Sequence, residues 1–213
     1  MMGKLRQHIT QLLEAGVMAK KHYEIYHALT TADAKTCKAM NPYTAFFSPT
    51  SDAHQRMAIM RIFTIYDKKY SVNVHEVLKS VHKALEQERD AAGQSKKVKN
   101  ARRRKRKAVN AIKDELKALQ PIMEKIDILR HQDIAHRSRK LSSEKVFQKA
   151  SLTRGELAHV VSKTWKITVH LLKLVEEPNH VSMLSSKKET LALLKDLTAH
   201  YECQLARPEE VAR

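Results

Sequence analysis

Residues 121–136 read Pro121-Ile-Met-Glu-Lys-Ile-Asp-Ile-Leu-Arg-His-Gln-Asp-Ile-Ala-His136, and the period of this stretch decides the fold class. Ile122, Ile126 and Leu129 recur at helical spacing, and Pro121 suits a first helical turn, because proline has no N–H to leave unpaired there. The pattern predicts a helix from Pro121 to about Arg139. At roughly 100° per residue, Arg130, Asp133 and His136 project onto one third of its circumference, with Asp133 in the middle. The apolar stripe runs onto the same arc, so the three polar groups face protein and need partners there. A two-fold contact along this helix would bring two copies of the trio together.

The rest of the chain follows the same period. Ile9, Leu12, Leu13, Val17, Tyr23 and Tyr26 predict a first helix over about 4–29. After a break around 40–49 (Asn41-Pro42 to Pro49), a second is expected from about Ser51 to Asp67. Asn73, with Glu76 three residues on, is a good N-cap for a third over about 74–92. A fourth is expected from Val98 or Arg102 to Leu119. Thr153-Arg-Gly-Glu156 and Ser186-Lys-Lys-Glu189 have the capping-box pattern and open two last helices, about 154–175 and 187–205. Four glycines and five prolines in 213 residues leave little material for the turns that strands need. The expectation is an all-α bundle of about five to seven helices, forming a single domain over 1–213 with a basic excursion at about 93–107.

Apolar residues make up 42% of the chain, enough for a real core. Cys37 and Cys203 have no partner spacing and read as free thiols. No apolar run reaches the roughly 18–20 residues of a bilayer span, and no secretory leader follows Met1, so a cytoplasmic protein is expected. The net charge of +17 attracts polyanions. Lys96, Lys97, Lys99, Arg102, Arg103, Arg104, Lys105, Arg106 and Lys107 supply about half of that excess, with no acid among them. No aromatic side chain is interleaved, so contact with an RNA or DNA backbone there would be electrostatic and salt-sensitive.

The chemistry suggested by the central stretch is RNA cleavage without a metal. RNA carries its own nucleophile, the 2′-hydroxyl. The enzyme then needs a group that titrates near neutral pH, which histidine provides, and a cation for the phosphorane charge, which arginine provides. The same three side chains would also suit a satisfied ion-pair network. Other chemistries find no support. His75-Glu76 has Lys79 where a zinc protease needs its second histidine, and His22 and His27 are poorly spaced for one ion. There is no glycine-rich phosphate loop and no nucleophile elbow. Asp67 and Asn73 read as helix caps, Trp165 and its leucine neighbours as core or interface, and Met18, Met57, Met60 and Met123 as gap-fillers.

The segment from Leu129 to Arg137 resembles the signature of the HEPN superfamily (higher eukaryotes and prokaryotes nucleotide-binding domains). That signature is an arginine, four to six residues, then a histidine, often with a polar residue directly after the arginine. Arg130 and His136 match, and His131 fills the polar position. Ala135-His136 resembles the form found in the abortive-infection AbiU-type branch. Phe46-Phe47, Arg61 to Asp67, and Asn73 to Leu78 resemble that branch as well. An acid often follows the alanine-histidine pair closely in relatives, whereas Arg137, Arg139 and Lys140 follow here.

The resemblance implies a helical bundle that forms a homodimer and places two such motifs at a shared cleft. It implies a cofactor-free and metal-independent endoribonuclease of a toxin–antitoxin or phage-defence system. Arg130 and His136 would be catalytic, His131 and Asp133 supporting, RNA the substrate and an antitoxin protein a partner. A rival from another class is a non-catalytic helical module that binds RNA or protein, and a third is a partner-dependent structural subunit.

Overall fold

The computed structural model describes residues 2–90, 95–134, 142–175 and 186–205. The protein is all-α, with no strand among the described residues. Among the described residues six long helices carry it: α1 (Met2–Thr30), α3 (Thr44–Tyr66), α4 (Val74–Asp90), α5 (Lys96–Leu129), α7 (Arg154–Val175) and α8 (Ser186–Leu205). Two short ones, α2 (Ala34–Met40) and α6 (Ser143–Ala150), lie between them. No helix among the described residues is long and apolar enough to cross a membrane.

Several boundaries differ from the expectation, and proline is the reason. Pro49 lies inside α3 and Pro121 inside α5, so the predicted fourth and fifth helices are one helix of 34 residues. Both prolines are exposed, where water can satisfy the carbonyl that a missing N–H leaves open. The basic segment 96–107 forms the first turns of α5, begun by Ser95, whose Oγ accepts from Val98 N at 3.4 Å. Met18 and Met57 are more than a third exposed, so they do not fill core gaps.

The chain divides into two compact units. The first comprises 1–20 and 59–181. In it α5 packs against α4, α6 and α7. Ile62, Leu78, Ile112, Leu119, Ile126, Leu129, Leu157 and Leu171 are buried at the centre. Each contributes roughly 1.5–3 kcal/mol by leaving water. Gly16 of α1 lies directly on Thr168 of α7, where an added Cβ would sit 3.0 Å from the threonine Oγ1. Tyr66 and Thr164 share a buried hydrogen bond of 2.9 Å, and burial pushes the Tyr66 hydroxyl far above its ordinary pKa.

Local signals in the sequence set the helix starts. Thr153 Oγ1 accepts from Glu156 N at 3.1 Å while Glu156 Oε2 accepts from Thr153 N at 2.8 Å, a complete capping box. Glu156 also receives Lys125 Nζ at 2.6 Å, which ties α7 to α5 and, with the Thr153 N–H, holds its carboxyl below the usual range. Asn73 is fully buried, and its Oδ1 accepts from both His75 N (2.9 Å) and Glu76 N (3.0 Å). Ser151 ends α6 in the left-handed region at φ 52°.

The second unit comprises 21–58 and 182–213. Here α2 packs on α8, with Ala39 and Leu194 buried. Asp33 caps α2 by accepting from Thr36 N at 2.7 Å, a bond that lowers its pKa. His22 Nδ1 and His54 Nδ1 lie 2.8 Å apart. No group of three or more His, Cys, Asp or Glu side chains suited to a metal ion occurs among the described residues, and Cys37 and Cys203 are exposed free thiols.

Candidate functional site

At Arg130 the hydrogen-bonding pattern of α5 changes. Residues Arg130–Ile134 form a π-helical turn, a geometry of i→i+5 bonds, entered from Arg130, whose own N–H still reaches Ile126 O and Asp127 O. Such turns are rare and concentrate at functional sites, because they displace side chains from their regular azimuths. The α-helical projection of Arg130, Asp133 and His136 onto one arc therefore does not carry through this segment. Asp133 belongs to the π turn by its backbone, while Ala135, His136 and Arg137 to Lys140 lie outside the described residues.

Arg130 is held on two sides. Its guanidinium carbon lies 4.8 Å from the centre of the Phe63 ring, a cation–π contact with the end of α3. Nη1 lies 2.9 Å from His131 Nδ1 and 3.2 Å from Nε2. Arginine can only donate, so one ring nitrogen must accept. Asp127 Oδ1, 3.2 Å from Nε2 and one turn back on α5, takes the N–H there and leaves Nδ1 as the acceptor for Arg130. The His131 ring also meets Phe63 edge-on at 6.2 Å. Phe63 is buried at 5% exposure, so it is a fixed platform. Arg130 Nε is buried and has no hydrogen-bond partner among the described residues. The other flank of the π turn meets α6, where Lys149 Nζ donates to Gln132 Oε1 at 3.4 Å.

A cleft of about 410 Å³ lies against this cluster, bounded by the end of α3, the start of α4 and the C-terminal half of α5. Its polar wall includes Asp67, Lys68, His75, Gln120, Glu124 and Asp127. Phe63 and Asp127 belong to both the cleft and the Arg130 cluster. Burial, then the nearby cations Lys68 and Lys79, lower the His75 pKa against the opposing pull of Glu76.

The basic residues of 96–107 lie at the opposite end of α5. Lys96, Lys97, Lys99, Arg103, Arg104, Arg106 and Lys107 are exposed, and Arg102 and Lys105 half-buried. Arg106 pairs with Glu86 of α4 at 3.7 Å. Of the site residues expected from sequence, the structure brings Arg130 and His131 together and keeps the basic residues apart from them.

Phe63 and Asp127 were not foreseen. Asp127 carries a legible signal, the i,i+4 spacing to His131, whereas Phe63 comes from another helix and carries none.

The fold and the motif together define a helical domain whose longest helix delivers an arginine followed, six residues on, by a histidine. Residues 2–190 match the family model described as AbiU2, a HEPN family, and the chain belongs to that family, the abortive-infection type of HEPN domain. No curated protein and no solved structure matches the chain.

Proposed function

We propose that this protein is a metal-independent endoribonuclease with a toxin or phage-defence role, acting in the cytoplasm as a homodimer. The observation that carries this reading is the mounting of Arg130: a guanidinium fixed by Phe63 and His131, with His131 using one of its five N–H donors. A guanidinium with donors to spare suits the planar, bidentate recognition of a phosphate. The 2′-hydroxyl of the substrate attacks the adjacent phosphorus, the bond to the 5′-oxygen breaks, and a 2′,3′-cyclic phosphate and a 5′-hydroxyl result. His136 moves the proton that the 2′-oxygen loses or the 5′-oxygen gains, and Arg130 bears the charge that builds on the phosphorane oxygens. His131 and Asp133 support the pair, the 96–107 cations attract the RNA backbone, and an antitoxin protein restrains the enzyme.

The test is incubation of the purified protein with labelled total RNA in excess chelator, beside His136→Ala and Arg130→Ala. We expect cleavage by the wild type and a loss of about 100-fold or more in each variant. Equal cleavage by both variants, or none by any form, would sink the proposal. A strictly monomeric mass in solution would remove the composite two-copy site.

A further inference from the structure

We propose that the cleft between the end of α3, the start of α4 and the C-terminal half of α5 is a subsite for the guanine base of an RNA nucleotide whose phosphate lies on Arg130. This rests on the reading of Arg130 as a phosphate clamp. Position is the first argument, since Asp127 and Phe63 form part of the cleft and also hold the Arg130 cluster. A ligand seated here shares Phe63 and Asp127 with the Arg130 cluster. Size is the second, because about 410 Å³ lies within the range of roughly 300–1,000 Å³ typical of small-molecule sites.

Charge selects the chemistry. The chain has 40 basic and 23 acidic residues, yet Asp67, Glu124 and Asp127 meet at this cleft with Lys68 as the cation among them. Carboxylates repel a phosphate and accept from N–H groups, so the cleft takes the uncharged part of a nucleotide. Glu124 Oε1 accepts from Gln120 at 3.3 Å and Asp67 Oδ1 from Lys69 N at 3.0 Å, which leaves each carboxylate further lone pairs. Among the four RNA bases, guanine alone presents two adjacent N–H groups, N1–H and N2–H, to a carboxylate. Its other edge carries the O6 and N7 acceptors that a lysine matches. Phe63, Tyr66 and Met123 give the cleft an apolar side for the flat ring.

Equilibrium dialysis of GMP, AMP, CMP and UMP against the full chain, in chelator and low salt, tests this. Glu124→Gln, Asp127→Asn and Arg130→Ala are compared with the wild type, and circular dichroism checks their folding. The wild type should favour GMP by about tenfold or more, the worth of one bidentate pair. Glu124→Gln should bring GMP closer to the level of AMP while leaving AMP unchanged, whereas Asp127→Asn, which also removes the partner that orients His131 beside Arg130, should abolish the GMP preference and weaken all four. Arg130→Ala should weaken all four alike. Equal affinities in the wild type, or a GMP preference that survives both carboxylate substitutions, overturns the proposal. Nucleotides are not cleaved, so the result is independent of the ribonuclease reading. A guanine preference in a protein that cuts no RNA keeps the subsite and removes the cleavage, and cutting without that preference does the reverse.

Discussion

Thr153 and Glu156 bind each other's backbone N–H across the first turn of α7, and Glu156 also holds Lys125 of α5. Thr153→Ala removes the hydroxyl acceptor and strands the Glu156 N–H, so it should lower the unfolding free energy by about 1 kcal/mol in urea titration. An unchanged midpoint would show that the box carries no net stability. This feature was legible in sequence because its partners lie three residues apart, and so was the Asn73 cap of α4. Arg130 was legible as a residue, but its mounting was not. Phe63 reaches it through tertiary packing, which leaves no local spacing to read, and the side chain of a π turn does not follow the 100° rule.

Helix α5 runs straight through a residue that was expected to begin a helix. Proline at a first helical position and proline inside an exposed helix look alike locally. The difference is made by Leu116, Leu119 and Ile126, buried on both sides of Pro121, which hold the helix together across the missing hydrogen bond. A helix-interior proline costs about 3 kcal/mol against alanine, and its restriction of the unfolded chain returns up to about 1. Pro121→Ala should therefore stabilise the protein by about 2–3 kcal/mol, read as a higher denaturation midpoint at unchanged m-value. A drop would mean that Pro121 itself is needed for the packing of the first unit. The class of the fold, by contrast, was legible, since the apolar period of 3.6 is clear along α4 and α5 and the glycines and prolines that strand turns need are few.

At the scale of the whole molecule, two half-buried histidines govern acid sensitivity, one in each unit. Burial lowers the pKa of His54, and burial with Lys68 and Lys79 lowers that of His75, each from an ordinary 6.5. The unfolded chain then binds protons that the folded chain refuses, so stability rises with pH across the interval between the lowered values and 6.5. Thermal melts should show Tm falling as pH drops from about 6.5 downward, and His75→Gln should flatten that fall. A Tm independent of pH in this range would show that the two environments do not discriminate against charge. The paired carboxyls of Asp33 and Glu156 act in the same sense at lower pH: their contribution is present at neutral pH and lost as pH falls through the carboxylate range.

The unbroken course of α5 fixes a length. Its 34 residues carry the basic segment at one end, the Arg130 turn at the other, and Val109, Ile112, Leu116, Leu119, Ile126 and Leu129 facing the core between them. Removing one residue anywhere in that middle would swing everything beyond it by about 100° and shorten the helix by about 1.5 Å. Half of the apolar stripe would turn to water, and the clamp would rotate away from Phe63. Along this helix the chain can exchange outward-facing residues freely, but it cannot gain or lose a single one.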